Sequence, residues 1–297
     1  MTRASGRRTG GWRAWCSLGA VLVAWAAASA TGAVDPRVLP GPVDVARAAA
    51  DLVATGTLLP ALAVSVGRLA AGALLGTGAG LVLGLVAGLS PIGHDVVDRP
   101  LQAVRAVPFT ALTPLLVVWW GLGETPKVLL VVLASAVPVY VATVTGARGV
   151  DSRLREVAAA QGVGRWVTVR RVVLPGALPS VLAGVRLALG TGWVAVIVAE
   201  QVATDRGVGA LLTDARTWAR TDVVLVCVAL YAVLGLVTDA LVRGVEHRAL
   251  RWRAPGPVAR AVAPTPAPAV PASDAPGGPP PARHPLPPAR PPTQEPA

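Results

Sequence analysis

Residues Arg155 to Pro175 read REVAAAQGVGRWVTVRRVVLP, a polar, arginine-rich island between long apolar runs. The spacing predicts two short helices joined at a turn. Asp151 and Ser152 can cap the first, Gly162 and Gly164 permit the bend, and Pro175 limits the second. In the second helix Trp166, Val169, Val172 and Val173 recur at helical spacing, with Arg165, Thr168, Arg170 and Arg171 between them. An apolar stripe on so short and basic a helix needs a surface to lie on.

Outside this island the composition is that of a membrane protein. Hydrophobic residues make up 53% of the 297 positions and charged ones 14%, and the charges are clustered rather than spread. A net charge of +11 does not point to nucleic acid, because the basic residues fall between apolar runs without an aromatic-interleaved patch. Of the 27 lysines and arginines, 20 lie within 1–14, 90–105, 147–186 and 243–297. Positive residues mark cytoplasmic segments, so both termini and the arginine-rich loop are expected in the cytoplasm. The expected fold is an all-α membrane protein with about six transmembrane helices and one structured cytoplasmic loop.

Residues 1–34 hold a basic N-terminus and an apolar run, Trp15–Val34, long enough to cross a bilayer. Ala28-Ser29-Ala30 also has the form of a signal-peptide cleavage site; an uncleaved span is preferred because the rest of the chain is itself multi-span. Residues 35–68 read as an external connection in which Val43–Leu52 forms an interfacial amphipathic helix, with Arg68 snorkelling at its edge. A core region follows over 69–253, with the arginine-rich loop at 151–179. In the second span, Leu69–Leu89, Gly72, Gly76, Gly80, Gly84 and Gly88 stand four residues apart and let another backbone approach closely, within the chain or across a dimer.

Ser90–Pro100 reads as a polar turn leading into a third span that carries Pro108 and Pro114. Both prolines remove backbone donors and bend a helix, which a membrane tolerates only where protein or a cavity satisfies the freed carbonyls. Together with Arg105 they mark the expected translocation path. The remaining spans are Lys127–Thr145, Ala183–Ala203 and Val223–Val242, with a polar connection between the last two. Glu200, a carboxylate in an apolar helix, either belongs to the path or reaches water at the outer boundary. Residues 254–297 hold 16 of the 28 prolines and read as a disordered cytoplasmic tail.

The loop resembles the signature loop of importer-type ABC permeases, E-A-A, three residues, G, nine residues, I-x-L-P. Here it stands as Glu156-Val157-Ala158, Gly162 six positions after the glutamate, and Val172-Val173-Leu174-Pro175. Arg105, Pro108, Ala111, Leu112, Pro114 and the Trp119-Trp120-Gly121-Leu122-Gly123-Glu124 turn resemble the nitrate, sulfonate and taurine branch of that family. The resemblance implies a permease subunit in the inner (plasma) membrane that moves nitrate, taurine, an alkanesulfonate or a similar small anion into the cytoplasm. Its implied partners are a separate ATPase subunit, an extracytoplasmic solute-binding protein, a second copy of the permease and membrane lipid, with no nucleic acid. ATP and Mg would sit on the ATPase. Glu156, Ala158, Gly162, Val172, Leu174 and Pro175 are the implied docking residues for that subunit. Arg105 either attracts an anion in the path or serves as a topology signal at the cytoplasmic interface.

Nothing in the sequence points to chemistry performed by this chain. Its one lysine, Lys127, follows Pro126 and cannot belong to a G-x-x-x-x-G-K-[ST] loop. His94, His247 and His284 are scattered, Cys16 and Cys227 lie far apart in apolar runs, and Gly88-Leu-Ser90-Pro-Ile92 lacks the last glycine of a nucleophile elbow. No catalytic residue, metal site or resident cofactor is expected. A stand-alone secondary transporter or channel is the alternative, disfavoured because the spans carry few charges for a proton relay.

Overall fold

The structure, a computed structural model, describes residues 11–32, 35–202 and 206–252; the proline-rich tail and the Ala33–Val34 end of the predicted first span lie outside them. Every regular element among the described residues is helical. In chain order these are α1 (Gly11–Ala30), α2 (Pro42–Ala54), α3 (Leu58–Leu89), α4 (Pro91–Ala106), α5 (Phe109–Trp120), α6 (Glu124–Arg148), α7 (Ser152–Ala160), α8 (Arg165–Thr168), α9 (Leu174–Gln201), α10 (Val208–Thr217) and α11 (Thr221–Ala249). Four continuous helical stretches are long and apolar enough to cross a bilayer: α3, α6, Arg165–Gln201 and α11. The pair α4 and α5, bent by 104°, is apolar enough to make a fifth as one broken span or to form a re-entrant loop, and α1 adds a shorter apolar stretch, Gly19–Ala30. This is a multi-pass membrane protein.

The centre is built of three helices that pack on one another, α3, α6 and α9. Along α3 the five glycines at four-residue intervals face α6: Gly72 meets Val131, Gly76 the Val132 carbonyl and Ser135, Gly80 Val139, Gly84 Thr143 and Gly88 Ala147. α9 packs on α6 by the same means, with Gly184 against Ala142 and Gly146 of α6 against Ala177 and Ser180, and its Gly192 meets Leu69 of α3. With lipid outside as apolar as the side chains, backbone approach through small residues supplies the packing that a water-driven core would otherwise give.

Several segments are longer or more regular than the sequence predicts. α3 begins at Leu58 rather than Leu69, because Pro60 falls in its first turn, where a missing N–H leaves no helical bond unmade. The predicted external connection therefore ends at Thr57, and Arg68 lies three turns inside a helix instead of snorkelling at its edge. Ser90–Pro100 is not a turn: Ser90 caps α4, its hydroxyl accepting from the Gly93 amide at 3.2 Å. The stretch predicted as a polar connection before the last span holds α10, whose Val208, Leu212 and Ala215 share a core with Ala48 and Leu52 of α2 and Val223, Val226 and Cys227 of α11. This body sits at the end of the bundle opposite α7 and α8.

Pro175 does not end the second loop helix. From Val169 to Val173 the chain takes π-helical spacing, with the Leu174 amide donating to the Val169 carbonyl five residues back, and the helix then runs unbroken to Gln201. A wider turn just ahead of a proline accommodates its ring and missing donor without a break. The helix of the fifth span accordingly reaches back to Arg165, eighteen residues before the predicted Ala183.

Candidate functional site

Three places carry the residues singled out by sequence: the loop between α6 and α9, a groove beside α9, and a buried charge cluster at the far end. The loop is built on its own hydrogen bonds. Asp151 caps α7, its carboxylate accepting from the Arg153 amide at 2.9 Å. At the other end the Gly162 amide donates to the Ala159 carbonyl and the Val163 amide to the Ala158 carbonyl, the paired bonds of a Schellman motif. That motif needs a left-handed residue, and Gly162 supplies it at φ +71°. Gly164, predicted to share this task, has φ −59°, which any residue adopts. The spacing from Glu156 to Gly162 thus runs from the middle of α7 to the left-handed residue that closes it.

The loop's buried side is small. Ala158 is buried, and Val173 packs with Ala147 and Val150 at 1% exposure, with Val172 against them. Val173, absent from the predicted docking set, is the true anchor; its place in the apolar stripe was the available signal. Leu174 and Pro175 are half-buried at the head of α9, while Glu156 is exposed with no hydrogen-bond partner among the described residues. The outward side is apolar: Trp166 is 75% exposed, and Leu154, Val157 and Val167 are exposed with it. Such a face, flanked by Arg165, Arg170 and Arg171, has the character of a contact surface.

Arg105 lines a groove of about 520 Å³ between the α4–α5 bend, α6 and α9, whose walls include Val107, Leu112, Pro138, Gly184 and Thr191. The bend is made at Val107 and Pro108, both extended, and Pro114 falls inside α5. Arg105 also borders a second hollow of about 210 Å³ with Asp98, Gln102 and Tyr140. A guanidinium at the rim of an otherwise apolar groove is suited to draw in a small anion.

Glu200, predicted beside Arg105 on one path, is elsewhere. It is 1% exposed and neither lines the groove nor reaches water. Its carboxylate accepts from Ser65 Oγ (2.8 and 2.9 Å), Arg68 Nη1 (2.8 Å) and the Gly209 amide (2.8 Å), with Tyr231 at 3.4 Å. Ser65 in turn accepts from the Val208 amide at 2.9 Å. Arg68 grips Glu124 with two further bonds, Nε to Oε2 at 2.7 Å and Nη2 to Oε1 at 2.6 Å, and donates to the Arg206 carbonyl at 2.8 Å. One side chain thereby ties α3, the start of α6, the end of α9 and the entry to α10. Gly207 and Gly209 permit it, since a Cβ at either would run into Glu200. Sequence reasoning missed this cluster; the signal was an arginine and two glutamates in apolar helices.

Residues 76–251 match the family model for the binding-protein-dependent transport system inner membrane component. The chain is 40% identical over 249 residues to an aliphatic sulfonates transport permease protein of Bacillus subtilis, covering 84% of this chain and 90% of that one. It is 32% identical over 241 residues to the taurine transport system permease protein of Escherichia coli, covering 80% and 88%. Among solved structures, the fold is shared with an amino acid ABC transporter (TM-score 0.54, 18% identity, 67% of this chain and 97% of that one). It is also shared with the inward-facing methionine ABC transporter (TM-score 0.51, 19% identity, 61% and 92%).

Proposed function

As the chain belongs to the family of binding-protein-dependent transport system inner membrane components, we propose that it carries a small sulfonate anion into the cytoplasm for an ABC importer. It is the membrane-spanning permease subunit; ATP and Mg belong to a separate ATPase. The observation that carries the docking half of this reading is the loop from Asp151 to Pro175: a self-capped helix pair that turns Trp166, Leu154 and Val157 outward. In the proposed arrangement two permease copies pair, an ATPase subunit seats each loop from the cytoplasm, and a solute-binding protein delivers the anion to the opposite face, where α2 and α10 lie. Closure of the ATPase pair moves the two loops, and the stiff continuation of α8 into α9 passes that motion across the bilayer.

Glu156→Lys is expected to lower the ATPase recovered with the tagged permease from its own membranes by about tenfold, the equivalent of ~1.4 kcal/mol of docking energy. Because Glu156 is exposed and has no hydrogen-bond partner among the described residues, the variant should accumulate normally. Full recovery of the ATPase from the variant would remove the loop from the docking surface.

The sulfonate half rests on the names of the relatives and on Arg105 in its groove. Arg105→Ala is expected to cut uptake of an alkanesulfonate into vesicles about tenfold with the complex intact, the size of one lost charge-assisted hydrogen bond. Unchanged uptake would assign Arg105 to topology alone.

A further inference from the structure

We infer that Glu124 is the releasable member of a three-residue charge lock, Glu124–Arg68–Glu200, whose opening at Glu124 frees the outer mouth of the permease. The inference rests on the permease reading above and adds the contact that must break. The two halves of the lock are unlike. Glu200 has a fully buried side chain held by Ser65, Arg68 and the Gly209 amide, and Arg68 is 3% exposed. Moving either one out leaves a charge without a partner in a dry site, the most unfavourable outcome available to it. Glu124 is 60% exposed although it receives two bonds from Arg68. On release it enters water, and Arg68 keeps Glu200 and the Arg206 carbonyl.

The charges divide evenly along this break. Lys127 lies 3.6 Å from Glu124 one turn along α6, so the departing side is a glutamate with a lysine beside it. The side that stays is one arginine on one glutamate. Among these four side chains, each side of the break keeps one cation and one anion. The chain next to Glu124 is free to swing: residues 121–125 are all exposed, Gly121 stands at φ +77°, and nothing lies within 4 Å of a Cβ placed at Gly121 or Gly123. This turn joins α5, with Trp119 and Trp120 at its end, to α6, so releasing it parts the α5–α6 corner from the body built on α2, α10 and α11.

The test uses the whole importer, permease with its ATPase, in lipid vesicles. Glu124→Gln keeps the shape and removes the charge, weakening the pair by the difference between a charged and a neutral hydrogen bond. The variant is expected to hydrolyse ATP about fivefold faster than the parent without binding protein, since an outer mouth that opens unaided no longer waits for that partner. In a Cys16→Ser, Cys227→Ala background, spin labels at Leu122→Cys and Trp218→Cys, both exposed positions, report the corner-to-body distance in samples diluted with unlabelled chain. Glu124→Gln should add a longer-distance population without nucleotide. Parental values for both readouts, in an importer whose parent takes up solute on ATP, would overturn the lock alone. A parent without ATP-dependent uptake would overturn the permease reading beneath it.

Discussion

Arg68→Ala is expected to destabilise the protein by about 3–5 kcal/mol and to remove most of it from the membrane. The substitution removes the cation paired with Glu200, and the carboxylate cannot move toward water because its side chain is wholly buried between α9 and its partners on α3, α10 and α11. It also frees the Arg206 carbonyl, so the entry to α10 loses a tie. Arg68→Lys should fall between, since an ammonium cannot fork onto two carboxylates at once. Glu124→Gln should cost little stability, because a half-exposed ion pair is screened by solvent. Thermal unfolding in detergent and the amount of chain in membranes measure this order. An Arg68→Ala protein that accumulates and melts like its parent would show that the cluster does not hold the far end together.

What the sequence makes legible follows how far apart the cooperating residues stand. Gly72 to Gly88 read as a packing face because their four-residue period is local, and they meet α6 at each step. Gly162 is readable for the same reason, since a Schellman motif closes within six residues. The lock is not: Arg68 is 56 residues from Glu124 and 132 from Glu200, and no local period joins them. A charge at the edge of an apolar run looks identical whether it snorkels or pairs, until the start of α3 at Leu58 is known. Boundaries suffered from prolines whose positions cancel their usual effect, Pro60 within a first turn and Pro175 behind a π-helical turn. Both were legible as prolines and illegible as exceptions. α10 escaped because its apolar residues pack on α2 and α11 and do not extend to a span's length.

Gly76→Val is expected to abolish assembly of the bundle, whereas Gly78→Val, half a turn away, should be nearly silent. At Gly76 an added Cβ would lie 2.6 Å from the Val132 carbonyl oxygen, 2.9 Å from Ser135 Cβ and 3.2 Å from the Ala136 amide nitrogen. Two of these are backbone atoms of α6, so no rotamer change relieves the clash, and α3 and α6 must part. Parting them loosens the neighbouring glycine contacts along the same seam and weakens the face on which α9 also packs. Loss of that seam exceeds the ~1–3 kcal/mol usual for one overpacked side chain, because apolar lipid offers no compensating drive to re-form it. Gly78 is exposed with nothing within 4 Å of its Cβ, so valine there adds only an apolar surface toward lipid. The pair separates close approach from helix propensity, which is the same for both. Membrane levels and thermal unfolding of the two variants decide it. Equal loss in both would mean that glycine on α3 serves the helix itself, and equal tolerance would mean that α6 yields more readily than a backbone-on-backbone contact permits.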